Sequence, residues 1–451
     1  MSTDCYNVII VGAGPAGIFS ACFLAEQGLD RVLILDQGND IYQRRREQGH
    51  DLLCGWGGAG AFSDGKLTFS REVGGFLSEF IPGEELDRLF EQVDRVYLEN
   101  GASPQLFGTS SEAMVELETD AKLAGMQFIP ARIRHMGTEN CADILKQIRE
   151  FLRERVKVRT STRVEHILVE NGTVKGVQLA NGEKLTCRGL IVAPGRIGAQ
   201  WMRSEARRLK LRSRPNPVDI GVRVEAPAAV LTRLTDVAYE SKLIYYSHTF
   251  DDRVRTFCMN PFGEVVTEEV NGLITVNGHS YFHKRTENTN FAVLVSSNFT
   301  EPFNDPIGYG RYIAQLANLL GKGVIIQRLG DLIAGRRSTP KRLAKCITRP
   351  TLAGATPGDL SFVLPYRHLK DIIEMLEAMD RLTPGIFSRH TLIYGIEVKF
   401  YSNRLQLTDS LESEVENLFI IGDGAGITRG LLQASASGLV AGKAVIERLK
   451  T

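Results

Sequence analysis

A glycine-rich hexad, Gly12-Ala13-Gly14-Pro15-Ala16-Gly17, follows directly on the apolar run Val8-Ile9-Ile10-Val11. The GxGxxG spacing lets a chain turn tightly at Gly12. It brings backbone against a pyrophosphate at Gly14 and packs helix on strand at Gly17. The helix start then offers unpaired N–H groups and a partial positive charge to the phosphates, with Ala13, Pro15 and Ala16 lining the same turn. A second buried strand is read over residues 31–35, Arg-Val-Leu-Ile-Leu, and ends in Asp36. That carboxylate can accept both hydroxyls of an adenosine ribose, with Gln37 beside it. The chemistry implied is dinucleotide binding, which by itself does not choose between FAD and NAD.

The elements that must hold these residues are legible around them. Residues 8–11 lack any polar group, as a central parallel strand buried on both faces does. Residues 18–27 read as a helix that stops at Gly28, a good C-terminal cap. Residues 189–196, Gly-Leu-Ile-Val-Ala-Pro-Gly-Arg, read as a strand ending in a tight turn at Pro194 and Gly195. Before it, residues 156–159, 164–169 and 174–179 alternate apolar and polar. Asn171-Gly172 and Asn181-Gly182 are strong hairpin turns, so this stretch predicts a small antiparallel meander.

Near the C-terminus, the stretch from Asn417 through Leu418-Phe419-Ile420-Ile421 reads as another buried strand and leads into Gly422-Asp423-Gly424. Residues 430–442 then predict a helix on which Ser435, Gly438 and Gly442 share one narrow face, suited to close packing. Its start, at Gly430 and Leu431, favours negative charge. The turn at Ala193-Pro194-Gly195 resembles the Ala-Thr-Gly turn of FAD proteins of the glutathione-reductase type, with proline in place of threonine. By that resemblance Asp423 meets the ribityl and phosphate end of FAD, the late helix aims at the pyrimidine edge of the flavin, and Val164 lies near the adenine. No second strand-bound GxGxxG occurs after residue 200, so no separate NAD(P)H domain is expected.

The stretch 52–67, LLCGWGGAGAFSDGKL, carries five glycines. Glycine costs conformational entropy on folding, so such a cluster needs a reason. Trp56 and Phe62 are unusual in a flexible linker. By resemblance to related flavoproteins, residues 57–65 are expected to lie along the pyrophosphate and the flavin edge, through Gly58, Ala59, Gly60, Phe62 and Ser63, where side chains would clash with the ring; a flexible linker is the alternative.

The totals set bounds. A chain of 451 residues with 43% hydrophobic and 24% charged residues predicts two or three ordinary globular domains. A net charge of +1 gives no drive toward nucleic acid or an anionic membrane. The Arg44-Arg45-Arg46 and 207–212 clusters read first as solvated faces and second as phosphate or carboxylate sites, with Arg44 assigned to the cofactor. Seven cysteines without a CxxC, and no basic stretch before the first apolar run, predict a reducing, cytoplasmic setting. The eight histidines show no HxxxH or HxH spacing, so no metal is expected.

With these pieces in place, the chain resembles a microbial family of FAD-dependent dehydrogenases. The resemblance rests on residues 57–67, 135–138, 219–225, 256–259, 276–281, 335–339, 394–401 and 422–438. It implies an α/β fold: a Rossmann-like FAD-binding domain of the glutathione-reductase type with an inserted mixed α+β substrate domain. The boundaries expected are 1–205 for the first FAD part, 206–390 for the substrate domain and 391–451 for the closing FAD part. FAD is expected to be noncovalent, with His50 or Cys54 the residues able to attach it.

For catalysis, His279 and Tyr281 alternate at one strand end. Glu397 and Lys399 alternate on another, where a solvated face is the plain alternative. Arg429 precedes the flavin-facing helix. Arg336-Arg337 would hold an anionic substrate, or else cap a helix. The leading reading is an oxidoreductase that moves a hydride between a small-molecule substrate and flavin N5, with NAD(P)H a candidate external donor. A single-component flavin hydroxylase and a flavoprotein partner or modification factor are the alternatives. Neither a nucleic acid nor a membrane is expected as a partner, and the oligomeric state is open.

Overall fold

The computed structural model describes residues 5–45, 52–270, 272–281, 284–297, 299, 305–400 and 402–450. Arg46, His50 and Tyr401, which figure in the sequence reading, lie outside the described residues. The chain divides into two compact units. The first comprises Met1–Gln105, Arg134–Asn216 and Tyr401–Thr451, and the second Leu106–Ile133 and Pro217–Phe400. The second unit thus takes residues 106–133, a segment the sequence leaves with the FAD part. The reason is a strand pairing: Gln127–Ile129 runs antiparallel to Lys242–Tyr246.

The first unit is built on a seven-stranded sheet. Strand β1 (Tyr6–Val11) lies between β2 (Val32–Leu35) and the first-unit strand Lys184–Val192, parallel to both. Leu418–Ile420 adds a further parallel strand beyond Val192. All of β1 but Tyr6 and all of β2 are buried, as two-faced parallel strands must be. The stretch Lys157–Arg159 pairs parallel with β2 at the far edge. It therefore belongs to the parallel sheet and not to the meander, because its alternation reflects an edge strand with one covered face. The meander itself consists of Val164–Glu170 and Thr173–Leu179, folded onto the first half of Lys184–Val192. Asn171 and Gly172 both take positive φ, 52° and 78°, the conformation a two-residue hairpin of matching twist requires.

Helix α1 (Pro15–Glu26) covers this sheet and packs on the last helix, Leu431–Lys450. The helices meet backbone to backbone. A methyl group at Gly438 would lie 2.2 Å from the Ala16 carbonyl oxygen, and the Ser20 hydroxyl donates to the Gly438 carbonyl at 2.9 Å.

The second unit is an eight-stranded, almost wholly antiparallel sheet. Val218–Pro227 lies at its centre, between Asn288–Ser297 and Leu392–Lys399. Helices Pro306–Gly321 and Tyr366–Leu382 pack on it through one apolar cluster, together with Ala228–Ala238. Within this unit Glu397 and Lys399 are buried, which overturns the solvated-face alternative. Arg223 lies in the adjoining strand two residues from Gly221, which pairs with Glu397, and donates to both Glu397 oxygens, at 2.7 and 2.8 Å.

Gly438→Ala is expected to lower stability by about 1–3 kcal/mol through overpacking. Gly354→Ala, placed where nothing stands within 4 Å, should change it by less than about 0.5 kcal/mol. Urea unfolding midpoints of the two variants check the contrast.

Candidate flavin site

The start of α1 is left open chemically. Gly14 caps it with extended backbone, no side chain accepts from its first N–H groups, and its first turn contains no acid. Gly12, Gly14 and Pro15 are part-exposed. A methyl at Gly14 would meet only the Gly58 Cα, at 4.0 Å. A helix start with bare donors and open space above Gly14 fits a phosphate. Gly12 has a different role: its φ is 105°, and a methyl there would lie 2.1 Å from the Ala193 carbonyl oxygen.

Asp36 directly follows β2 and is buried. One carboxylate oxygen accepts from the Ala13 N–H at 2.7 Å, the other from the Gly38 N–H at 2.8 Å. The oxygen that accepts from Ala13 keeps a lone pair, while the other also accepts from the Cys54 thiol, so the acid both braces the glycine turn and retains acceptor capacity for a hydroxyl. Gln37 beside it is exposed. Cys54 lies 4.0 Å from the Asp36 carboxylate, and burial, reinforced by that charge, pushes its thiol up to about 11. A thiol so held is a poor nucleophile at neutral pH.

The glycine-rich loop folds as a short 3-10 turn, Gly58–Phe62, against α1. The Gly57 N–H donates to the Ala13 carbonyl at 2.7 Å. Methyl groups at Gly58 and Gly60 would stand 3.1 Å from the Gly14 Cα and 2.9 Å from a Leu431 methyl; at Gly57 and Gly65 they would meet Leu145 and Cys141. The need for glycine here is therefore met by protein packed against protein. Arg44 differs from its plain reading as a solvated charge. It is buried, donates to the Trp56 and Gly58 carbonyls, and lies 4.9 Å from the Phe62 ring centre. It fastens the loop. Ala59, Phe62 and Ser63 remain part-exposed.

The far end of the sheet closes on the same place. Pro194 follows the strand paired with β1, and a methyl at Gly424 would lie 2.4 Å from its ring; a methyl at Gly422 would lie 3.1 Å from the Ala16 Cβ. Gly195 has φ 60° with nothing within 4 Å. Asp423 accepts from the Thr428 hydroxyl at 2.8 Å. Desolvation holds its carboxyl above the usual range, opposed by Arg196, Thr428 and Arg429. The Arg429 and Gly430 N–H groups both donate to the Gly74 carbonyl, at 2.7 and 3.1 Å. Val164 is buried at the start of the meander, opposite Leu179. The structure thus gathers Gly12 to Gly17, Asp36, the 58–60 turn, Pro194, Asp423 and Leu431 around the start of α1.

Sequence reasoning missed several participants. Gly74-Gly75 pins the segment before the last helix, and the doubled glycine was the available signal. Arg196 and Thr428, beside Asp423, had none. Lys66 and His135 are buried beside the part-exposed Asp64, which Lys66 meets at 2.9 Å. Burial, with Lys66 nearby, pulls the His135 imidazole down to about 4, while Asp64 and Glu139 oppose that.

The remaining candidates lie in the second unit. His279 ends the strand Leu273–His279, and its ring centre is 6.5 Å from that of Tyr281. Arg336 donates to the buried Asp331 at 3.0 Å, which also takes both Arg328 donors and the Ser338 hydroxyl. Its backbone N–H meets the Asp331 carbonyl at the end of the helix Leu329–Ile333. Arg336 therefore matches the helix-capping alternative. Arg337 is exposed, and its carbonyl accepts from Arg342.

Comparison with known proteins fits this arrangement. Residues 7–291 match the family described as FAD dependent oxidoreductase, and the chain belongs to that family. It is an FAD-dependent enzyme. Residues 217–400 match FAD-dependent protein, C-terminal domain-like, and residues 354–451 match Glucose inhibited division protein A. An uncharacterized protein of Clostridium beijerinckii is 28% identical over 98% of this chain and 80% of its own length. A digeranylgeranylglycerophospholipid reductase of Methanosarcina acetivorans is 26% identical over 48% of this chain and 43% of its own. Among solved structures, L-proline dehydrogenase from P. horikoshii is 12% identical, covers 98% of this chain and 94% of its own, and has a TM-score of 0.43. No described helix is long and apolar enough to cross a membrane.

Asp36→Asn should weaken FAD binding by about 1–3 kcal/mol, because an amide offers one acceptor where two N–H donors need one each. Titrating FAD into apoprotein reads this as a rise of roughly ten- to a hundredfold in Kd. His135 makes a separate prediction. Its folded pKa lies below its ordinary 6.5, so the unfolded chain binds the proton more readily. Stability is therefore lost as pH falls from 6.5 toward 4, by about 2 kcal/mol between pH 7 and pH 5. His135→Asn should remove that part of the loss in urea unfolding at the two pH values.

Proposed function

We propose that the protein is a cytoplasmic oxidoreductase that transfers a hydride to or from a small-molecule substrate and holds its FAD without a covalent bond. The observation that carries this reading is the convergence of the uncapped start of α1, Asp36 and Asp423 around one glycine-lined turn. In this reading Gly12, Ala13, Gly14, Pro15, Ala16 and Gly17 receive the pyrophosphate, and Asp36 with Gln37 receives the adenosine ribose. Val164 lies by the adenine. Gly58, Ala59, Gly60, Phe62 and Ser63, fastened by Arg44, border the cofactor, as do Pro194 and Gly195. Asp423 meets the ribityl chain, and Gly430 and Leu431 open the helix toward the flavin.

Bound FAD would supply the two-electron chemistry. The chain's part is to orient the cofactor, exclude water and present charge. Arg429 stands beside Asp423 as the cation of that end. His279, Tyr281 and Lys399 are the candidates for contact with substrate. The high thiol pKa of Cys54 supports noncovalent attachment. Arg336 and Arg337 are no longer favoured as substrate ligands, since Arg336 is committed to Asp331.

The test is a visible spectrum of the purified protein, before and after anaerobic NADH and NADPH. The expected outcome is a flavin band whose chromophore is released by acid precipitation. Bleaching by one nicotinamide would identify the electron donor; a band that stays oxidised would assign reduction to the substrate. Absence of flavin, in a protein that also fails to take up added FAD, would sink the reading.

A further inference from the structure

In the second unit the Arg223 guanidinium uses all its donors. It reaches both Glu397 oxygens, the Cys258 carbonyl at 2.8 Å, Asn290 Oδ1 at 3.2 Å and Asn277 Oδ1 at 3.1 Å. Glu397 is thereby committed to Arg223 in a bidentate pair with no exposure on either side. Lys399 Nζ stands 2.9 Å from the same carboxylate, with its side chain 9% exposed. Two cations therefore share one carboxylate. Among the described residues Lys399 has no other ionic partner. Asp219 faces Lys399 in the neighbouring strand, but its oxygens are turned to Arg255 and Ser296, at 2.6 and 2.7 Å.

The Lys399 ammonium does not point into apolar core. It lies 5.6 Å from the centre of the half-buried Phe257 ring. Two further cations flank that ring, Lys242 at 5.0 Å and Arg255 at 4.8 Å. Lys242 pairs with Glu240, and Lys242 and Arg255 keep 9% and 15% of their side chains exposed. The three cations, each at low exposure, thus stand around one aromatic hub. Glu240 answers Lys242 and Asp219 answers Arg255, so with Arg223 and Lys399 sharing Glu397 four cations meet three carboxylates, and the attraction of an aromatic face is too weak to neutralise the one charge left over at low exposure. An oxyanion placed among the three would do so, with charge-assisted hydrogen bonds from each.

We propose that Lys399, Lys242 and Arg255, arrayed around Phe257, form a binding site for a small-molecule oxyanion, a carboxylate or a phosphate. The site concerns the second unit alone and stands apart from the reading of the cofactor. It replaces Arg336 and Arg337 as the place where an anionic group is held.

The test uses the FAD-loaded protein with succinate and inorganic phosphate as probes, against sodium chloride at matched ionic strength. Wild-type melting temperature should rise with one or both oxyanions beyond the chloride control. In Lys399→Met the apparent affinity should fall roughly tenfold or more, while Lys399→Arg should keep most of it. A response to succinate assigns a carboxylate, and a response to phosphate alone assigns a phosphate. A second reading needs no probe. If Lys399 is uncompensated, Lys399→Met should melt no lower than wild type without oxyanion, because Glu397 keeps Arg223. A wild type indifferent to both probes would overturn the proposal, as would an oxyanion response unchanged in Lys399→Met or a Lys399→Met that melts lower without oxyanion.

Discussion

Close backbone approach around the first turn of α1 is the constraint on which the first unit depends. The Ala193 carbonyl comes in at Gly12, the Gly58 turn at Gly14 and the last helix at Ala16 through Gly438. These segments are distant in sequence; a Cβ at Gly12 or Gly438 would clash outright, and one at Gly58 would stand a tight 3.1 Å from the Gly14 Cα. The result is a helix start walled by backbone, with few side chains near it. Its N–H groups keep no internal acceptor, so its partial positive charge faces an open space. Phosphate recognition is then a consequence of packing.

Side chains near this turn serve mainly to keep the backbone in place. Asp36 accepts from two turn amides, and Arg44 holds two loop carbonyls. Both are buried charges with backbone partners, which is how a fold tolerates them. An arginine suits the second task because its planar fork can reach two carbonyls at once.

Buried ions organise the second unit differently. The Arg223–Glu397 pair crosses two neighbouring strands at its centre, and losing one partner of such a pair typically costs about 3–5 kcal/mol. Asp331 collects Arg328, Arg336 and Ser338, and these partners hold its carboxyl well below the usual range against the opposing effect of burial. Each acid is saturated by cations. Charge surplus therefore falls on the cations that come last, and Lys399 is one of them.

The sequence by itself determined the local elements and the identity of the cofactor turn. The apolar run before Gly12, the hexad and the acid at Asp36 lie within one short segment, where periodicity and glycine placement act locally. The hairpin at Asn171-Gly172 was legible for the same reason. Only the tertiary structure decided what lies across from a residue. Lys157–Arg159 alternates like a meander strand, yet pairs with β2, because alternation reports a covered face and not a partner. Glu397 and Lys399 look like a solvated pair until a strand far away in sequence brings Arg223 against them. The glycines of residues 57–65 announced a close approach without saying to what. Spacing along the chain encodes local conformation, whereas burial and charge pairing arise between segments that only the folded chain brings together.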